Sequence, residues 1–160
     1  MKTKAAFIKK AQGGFTLIEI LVVIGIIAVL AAIVIIAINP AKQFAQARNS
    51  QRVSNVNAIL NAIGQNIADN KGLFGGVCAA GTITTPMSTS SVLTAAGTGV
   101  DLSCLSPIYI PAIPFDPTAP AGTDTDYDLS VSSIGRITVC APNAASETSI
   151  PGSPGICVTR

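Results

Sequence analysis

The sequence lacks histidine and tryptophan, and charged residues make up only 11% of its 160 positions. Without histidine the chain cannot build a Ser-His-Asp or Cys-His catalytic group or a histidine-ligated zinc site, and it lacks the commonest general base. An average soluble domain carries about 25% charged residues. The low charged fraction beside a mean hydropathy of +0.56 therefore argues against an ordinary cytosolic globular protein, and we do not expect an enzyme.

The basic residues are concentrated at the start of the chain. Four of the ten lie within the first ten positions, namely Lys2, Lys4, Lys9 and Lys10. The net charge of +2 is too small to indicate a nucleic-acid-binding surface by itself. Because the C-terminal part has few basic residues, we do not expect nucleic acid as a direct ligand.

Changes in composition divide the chain into four segments. Residues 1–14 are basic, residues 15–38 are almost wholly apolar, residues 39–71 are polar with a helical apolar pattern, and residues 72–160 are rich in Gly, Ser, Thr and Pro. The last segment holds nine of the ten prolines and all four cysteines. This order predicts a short cytoplasmic leader, a membrane-spanning helix, an amphipathic helix and a globular head.

The apolar segment is long enough to cross a membrane. From Ile20 to Ile38 there are 19 residues without a charge, which form roughly 28 Å of helix, close to the hydrocarbon thickness of a bilayer. A helix satisfies its own backbone hydrogen bonds in lipid, whereas an isolated strand does not. The lysine-rich start predicts a cytoplasmic N-terminus with the rest of the chain outside. A cleaved secretory signal is the alternative, but its apolar region is only about 7–15 residues long.

The helix is predicted to resume after Asn39, because proline is tolerated in a first turn. Apolar residues then recur at spacings of three and four and form one stripe, made of Val53, Val56, Ile59, Leu60, Ile63 and Ile67. The polar residues predicted to lie mostly off this stripe are Arg48, Gln51, Arg52, Asn55, Asn66 and Asp69. Lys71 and Gly72 supply a cationic last turn and a glycine stop. The prediction is one long helix from about 15 to 70, with a kink allowed near Pro40, whose second half packs on the head.

The last segment is predicted to be a small antiparallel β head, which gives an α+β fold. Residues 127–131 and 137–139 alternate apolar and polar side chains, and residues 133–135 between them favour a hairpin turn. Residues 156–158 form a third short alternating segment. Residues 106–122 contain too many prolines for an internal strand and are predicted to form an ordered loop or a sheet edge. Residues 81–100, which are rich in Thr, Ser and Gly, show no pattern that predicts a helix or a strand.

The four cysteines, Cys78, Cys104, Cys140 and Cys157, are predicted to lie outside the membrane, where oxidation is expected. Four cysteines allow three pairings. We favour Cys78–Cys104 and Cys140–Cys157, because each pair closes a local loop. A zinc site is the alternative, but the sequence has neither histidine nor a Cys-x-x-Cys pair.

Three aspartates, Asp124, Asp126 and Asp128, occupy alternate positions beside Tyr127. Carboxylates at this spacing can supply oxygen ligands for Ca²⁺. The glycine and the glutamate that complete an EF-hand loop are missing, so a solvated acidic turn is the favoured interpretation. We therefore expect no cofactor, and Ca²⁺ binding is the weaker alternative.

Residues 13–19 read Gly-Gly-Phe-Thr-Leu-Ile-Glu, after the basic leader and before the apolar helix. This arrangement resembles the processing motif of type IV prepilins and type II secretion pseudopilins. The resemblance implies that a membrane peptidase cleaves after Gly14, that the new N-terminal residue Phe15 is N-methylated, and that Glu19 guides assembly. Many members of that family carry a proline inside the apolar half of the helix, whereas the first proline here is Pro40, at its outer end.

The position of Glu19 supports the resemblance independently. An ionisable side chain within a membrane helix is a functional hypothesis by default, and Glu19 lies four residues, about one helical turn, after Phe15. The alternative is a Glu19 whose side chain extends to the membrane interface without a further role.

We expect a structural subunit of a type IV pilus or pilus-like filament, held in the cytoplasmic membrane before assembly and exposed in the periplasm or outside the cell afterwards. The resemblance implies as partners identical or related pilin subunits, the prepilin peptidase and methyltransferase, and an inner-membrane assembly platform. A pseudopilin of a type II secretion or DNA-uptake machine is the alternative within the family. A monomeric, membrane-anchored extracellular binding module is the alternative of a different class, and such an anchor would not need Gly14 or Glu19.

Overall fold

The structure is a computed structural model that describes residues 13–78, 83–93, 99–120 and 122–160. The chain divides into two compact units, which meet in sequence after Pro40. The predicted leader lies outside the described ranges except for its last two residues. Within these ranges the fold is α+β, with two α-helices followed by a five-stranded sheet.

The first helix, α1, spans Leu17–Ile38 and contains 22 residues. It ends at Asn39, whose backbone is left-handed with φ 47° and ψ 79°. No residue of α1 is buried within the described part of the chain. Its length and composition suffice to cross a membrane. A helix that is apolar on all sides and uncovered by its own chain requires lipid or other protein around it.

The second helix, α2, spans Pro40–Asp69 and contains 30 residues. The predicted long helix is thus interrupted at one residue, Asn39. Proline disfavours the α conformation in the residue before it, and asparagine adopts the left-handed conformation more readily than most residues. After α2, Lys71 and Gly72 have positive φ angles of 59° and 90°, so the chain leaves the helix at the predicted glycine stop.

The head contains one sheet with the strand order β2-β1-β3-β4-β5. The strands are β1 Met87–Leu93, β2 Val100–Asp101, β3 Asp124–Val131, β4 Ile137–Ala141 and β5 Ile156–Thr159. Neighbouring strands are antiparallel except β1 and β2, which are parallel. Two short 3₁₀ helices, Ser103–Leu105 and Pro142–Ala144, follow β2 and β4.

The predicted hairpin is formed by β3 and β4, in which Leu129 lies opposite Val139. The amide of Gly135 donates a hydrogen bond of 3.0 Å to the carbonyl of Ser132 and closes the turn. Gly135 has a φ of 82°, which glycine adopts without the steric cost that a side chain would add. The third predicted strand is β5, which pairs with the other edge of β4.

The strands β1 and β2 were not predicted. The sequence of β1 is Met-Ser-Thr-Ser-Ser-Val-Leu, in which hydroxyl side chains obscure the alternation of apolar and polar residues. Its pairing with β3 contains register shifts, and β2 consists of two residues. Within the described part of residues 106–122 there is no strand, in agreement with the prolines of that segment.

The hydrophobic core contains side chains from α2 and from the sheet. Val56, Ile59, Leu60 and Ile63 contribute from the predicted stripe of α2. Every second residue of β3 from Thr125 onward is buried. Burying one such aliphatic side chain stabilises a fold by about 1.5–3 kcal/mol. The same core therefore supports both α2 and the sheet.

The prediction of the buried face of α2 was wrong at three positions. Val53 is 43% exposed, whereas Arg52 and Asn66 are fully buried. Asn66 exchanges two hydrogen bonds with the backbone of Gly75, because its Nδ2 donates to the carbonyl at 2.8 Å and its Oδ1 accepts from the amide at 3.0 Å. The buried amide group is thus satisfied, and it holds the segment that follows α2.

The head contains the disulfides Cys78–Cys104 and Cys140–Cys157, the same pairing that the sequence favoured. The first joins the segment after α2 to the 3₁₀ helix after β2, and the second joins the neighbouring strands β4 and β5. The side chain of Cys78 is buried and that of Cys157 is exposed. The two bonds therefore fix two separate parts of the head.

Candidate functional site

The first candidate site lies at the start of α1. Residues 13–16 precede the helix and have no regular secondary structure. Gly14 is exposed, and the side chain of Phe15 is 83% exposed. Exposed, irregular backbone is the kind of segment that proteases cut. The bond between Gly14 and Phe15 is therefore accessible.

Glu19 is part of a capping box with Thr16. Its Oε2 accepts hydrogen bonds of 2.7 Å from both the backbone amide and the hydroxyl group of Thr16. The amide of Glu19 donates to the Thr16 hydroxyl oxygen at 3.3 Å. In this reciprocal arrangement two backbone amides at the helix start, which have no partner within the helix, are satisfied by side chains.

The capping box fixes the position of the Glu19 carboxylate. It lies at the N-terminal end of α1, where the helix dipole is positive. Cleavage between Gly14 and Phe15 would create an ammonium group one residue before Thr16. In the structure the Glu19 carboxylate is thus hydrogen-bonded to Thr16, the residue that would directly follow the new N-terminal residue, Phe15.

Thr16 is a site residue that the sequence analysis missed. The signal for it was present, because Thr-x-x-Glu before an apolar run is the pattern of a capping box. The same glutamate therefore acts as a helix cap as well as a charge near the start of a membrane helix.

Residues 9–38 match the family model described as the prokaryotic N-terminal methylation motif. The chain carries the signature of type IV pilin and pseudopilin prepilins. The match covers the bond between Gly14 and Phe15 and ends together with α1 at Ile38. No curated protein and no solved structure matches the chain significantly.

The prepilin signature has consequences for the rest of the chain. It implies processing by a prepilin peptidase and assembly with other pilin subunits. Type IV pilins are structural proteins rather than enzymes. Together with the uncovered apolar helix α1, the signature fits a membrane-anchored protein that carries a folded head.

A second group of charged side chains lies in the head, and we call it the arginine cluster: the half-buried Arg48 and the buried Arg52, Asp116 and Glu147. Arg52 donates from Nε to Oδ2 of Asp116 at 2.6 Å and from Nη2 to Oδ1 at 3.0 Å. Its Nη1 donates to Oε1 of Glu147 at 2.6 Å, and Nε of Arg48 donates to the same oxygen at 2.7 Å. Two cations face two carboxylates, so the net charge of the cluster is zero. Its hydrogen bonds connect α2 to the two loops that carry Asp116 and Glu147.

The hydrogen bonds of the arginine cluster hold its members in their charged forms. Burial alone would raise the pKa of Asp116, but hydrogen bonds from Arg52 and Thr118 outweigh burial and lower this pKa to about 2. Hydrogen bonds from Arg48 and Arg52 lower the pKa of Glu147 to about 2. The hydrogen bond to Asp116 in turn raises the pKa of Arg52. At neutral pH these side chains therefore stay charged. They hold the two loops against α2 and do not act as proton donors or acceptors.

Helical spacing could have revealed Arg52. Positions 52, 56, 59, 63 and 66 follow one another at intervals of four, three, four and three, so Arg52 and Asn66 fall on the buried face. The spacing of apolar side chains alone does not include these two polar residues, which is why the prediction for them was wrong. The segment around Glu147 shows no local pattern that identifies it.

The three aspartates that were considered as Ca²⁺ ligands make local hydrogen bonds. Oδ2 of Asp126 accepts from Nδ2 of Asn143 at 3.0 Å, and Oδ1 of Asp124 accepts from the amide of Asp126 at 2.9 Å. Burial raises the pKa of Asp128, and the charges of Asp124 and Asp126 raise it further. Within the described residues, no three His, Cys, Asp or Glu side chains are grouped to hold a metal ion. Ca²⁺ binding stays the weaker prediction.

Proposed function

We propose that the chain is a structural subunit of a type IV pilus or pilus-like filament, assembled through α1. The observation that carries this proposal is the combination at the N-terminus. The methylation motif leads directly into a 22-residue apolar helix that nothing in the described chain covers. Such a helix can anchor the subunit in a membrane and later pack against the helices of other subunits in a filament.

Processing is the first step of the proposed mechanism. A prepilin peptidase cleaves after Gly14 and releases the basic leader, whose lysines keep it in the cytoplasm. The enzyme then methylates the amine of Phe15, which remains positively charged. The mature subunit stays anchored by α1, with its head on the outer side of the membrane.

Glu19 supplies the register signal for assembly in this proposal. A carboxylate buried without a partner costs several kcal/mol, so it requires a nearby cation. The Phe15 ammonium of a neighbouring subunit provides one only when the two helices have the correct axial alignment. A buried polar pair specifies alignment in coiled coils in the same way.

A surface pilus is the favoured filament. A cysteine pair near the C-terminus resembles pilins, and Cys140 and Cys157 form such a pair. A pseudopilin of a secretion or DNA-uptake machine would share the processing and the helix but form a short periplasmic structure. A monomeric anchored module would need neither the cleavage site nor Glu19.

Electron microscopy of sheared surface material tests this proposal. Filaments should be visible, and mass spectrometry should identify this chain as a main component. Membranes that hold the processed chain while sheared material holds none would contradict a surface pilus. A chain that stays unprocessed in a host with prepilin peptidase would contradict the whole assignment.

A further inference from the structure

The two disulfides of the head differ in how far a reagent in solution can reach them. Cys78 is 5% exposed and belongs to the hydrophobic core, and its partner Cys104 packs against that core. Cys157, by contrast, is exposed, and its partner Cys140 is half-buried. Thiol–disulfide exchange requires a thiolate to reach one of the two sulfur atoms. The most accessible target among the four cysteines is therefore Cys157.

The sheet topology also favours attack at Cys157. β5 is an edge strand, and Cys157 lies directly opposite Cys140 of β4. On the other side of Cys140 lies Asp128 of β3. Displacement at a disulfide sulfur proceeds in line with the S–S bond, so a thiolate that attacks Cys157 approaches over the open edge of the sheet. A thiolate that attacks Cys140 has to approach over β3 and its carboxylate.

The face of the sheet that carries this disulfide is acidic around Cys140. Side chains at every second position of a strand share a face, so Asp126 lies on the same face as Asp128. The pKa of Asp128 is raised first by burial and then by the charges of Asp124 and Asp126. These carboxylates therefore lie close enough together to form one centre of negative charge beside the disulfide.

Two arginines close to β4 and β5 in the sequence do not neutralise this centre. Arg136 lies four residues before Cys140, which is about 13 Å along an extended chain. Arg160 donates to the side-chain oxygens of Asn57 and Asn61 of α2, on the opposite face of the sheet. Within the described part of β3, β4 and β5, the charge around Cys140 is therefore negative.

The negative charge selects among thiols and slows the reverse reaction. Carboxylates disfavour a further anion close to them. A thiolate with a second negative charge is therefore repelled, whereas a thiolate that carries an ammonium group is not. Once Cys140 has been released, the same carboxylates favour its neutral thiol over its thiolate. Because only the thiolate attacks, the return of Cys140 to Cys157 is slow.

The head keeps its contacts when this disulfide opens. The amide of Arg160 donates to the carbonyl of Ile137 at 2.9 Å, and the amide of Ile137 donates to the carbonyl of Arg160 at 2.8 Å. The hydroxyl groups of Thr138 and Thr159 are hydrogen-bonded at 2.8 Å. The loop between β4 and β5 is held to α2 through Glu147. A thiol can therefore be attached to Cys157 in the folded subunit.

We propose that Cys157 is a reversible thiolation site that accepts small aminothiols. The thiolate of the aminothiol attacks Sγ of Cys157 and forms a new S–S bond. The bond between Cys157 and Cys140 breaks, and its electron pair goes to Sγ of Cys140, which then takes a proton from water. The incoming sulfur is oxidised to the same extent as the Cys140 sulfur is reduced, so no further oxidant is needed.

Peptide mapping of the full chain in detergent tests the proposal with cysteamine as the probe. The folded chain is treated with limiting cysteamine and quenched with N-ethylmaleimide. Cysteamine should be found on Cys157, N-ethylmaleimide on Cys140, and the bond between Cys78 and Cys104 should be intact. Cysteamine on Cys140, an earlier loss of the Cys78–Cys104 bond, or no adduct at all would overturn the proposal.

The same reaction in urea shows whether the fold sets this order. In the unfolded chain the two disulfides should react at similar rates, because neither is buried. A Cys78–Cys104 bond that stays much slower in urea would contradict burial as the cause of its resistance.

A charge comparison tests the preference for aminothiols. Rates at low salt are measured with cysteamine and with anionic 2-mercaptoethanesulfonate, each divided by the rate of the same thiol in urea. The ratio of the two normalised rates should favour cysteamine by about threefold or more. Asp128→Asn should lower this ratio, whereas Asp69→Asn, an exposed carboxylate at the end of α2, should not. A wild-type ratio of one, or equal effects of the two substitutions, would contradict the preference.

Discussion

The carboxylate of Glu19 accepts a 2.7 Å hydrogen bond from the backbone amide of Thr16. This contact gives Glu19 a role within its own helix, as a cap, in addition to the proposed role between subunits. The two roles require different chemistry. Glutamine can replace glutamate in a capping box, whereas only a charged group can pair with the Phe15 ammonium of a neighbour.

Substitutions of Glu19 and Thr16 separate the two roles. Glu19→Gln keeps a capping side chain but removes the charge, so we expect filament yield to fall by about tenfold or more, as for the loss of an ionic partner. Thr16→Ala weakens the cap by about 1 kcal/mol but keeps the charge, so its filaments should persist. The measurement is the ratio of sheared subunit to membrane subunit. Low yield from Thr16→Ala with normal yield from Glu19→Gln would show that capping is what matters.

Glu19→Val tests whether processing is independent of the charge. The variant should still insert, because the span becomes more apolar. Cleavage after Gly14 should persist, because the scissile bond lies well upstream of the substitution. Intact-mass measurement of the membrane fraction checks both expectations. An accumulation of unprocessed chain would mean that the peptidase reads Glu19.

The arginine cluster should dominate the stability of the head. Asp116→Asn leaves the buried Arg52 without its bidentate partner, and breaking a buried ion pair in this way costs about 3–5 kcal/mol. Thermal unfolding of the full chain in detergent should show a correspondingly lower melting temperature. Asp69→Asn changes an exposed carboxylate at the end of α2 and is the matched control. Similar melting temperatures for the two variants would contradict a structural role of the cluster.

The stability of the head should depend on pH in a defined window. The folded-state pKa values of Asp116 and Glu147 are about 2, below the values of about 3.9 and 4.3 in unfolded chains. Because these folded-state values are lowered, their stabilisation is complete above about pH 4 and is lost as the pH falls toward about 2. Melting curves between pH 7 and pH 2 should show this loss, and Asp116→Asn should reduce it. A melting temperature that stays constant below pH 4 would contradict the assignment.

The disulfide between β4 and β5 should stabilise the C-terminal strand. A loop with a sequence separation of 17 corresponds to about 3 kcal/mol in the chain-entropy estimate. Replacing Cys140 and Cys157 together by serine should lower the melting temperature of the head. Non-reducing peptide mapping of the wild type should find Cys140 linked to Cys157. A peptide that links Cys78 to Cys140 would contradict the pairing.

The sequence predicted those elements that have a strong local pattern. The apolar run of α1, the stripe of α2 and the alternation in β3, β4 and β5 each follow from side-chain periodicity. The interruption at Asn39 depends on Asn39 and on the proline that follows it, and the kink allowed near Pro40 agrees with it. β1 and β2 depend on pairing with β3 and with each other, which no local pattern shows.

The start of α1 and the arginine cluster also differ in whether a local sequence pattern reveals them. Gly14, Phe15 and Glu19 could be predicted as site residues because they lie within six positions of one another and form a motif. Arg52 and Glu147 are separated by 95 positions and meet at 2.6 Å only after folding. The charge of Arg52 suggested exposure, and only the partners brought by the loops explain its burial.

The N-terminal peptide of the chain recovered from sheared filaments tests the central claim most directly. Mass spectrometry should find a mature chain that starts at Phe15, with one methyl group on its amine and no trace of residues 1–14. A chain that retains Met1, or that begins near the outer end of α1, would contradict the account.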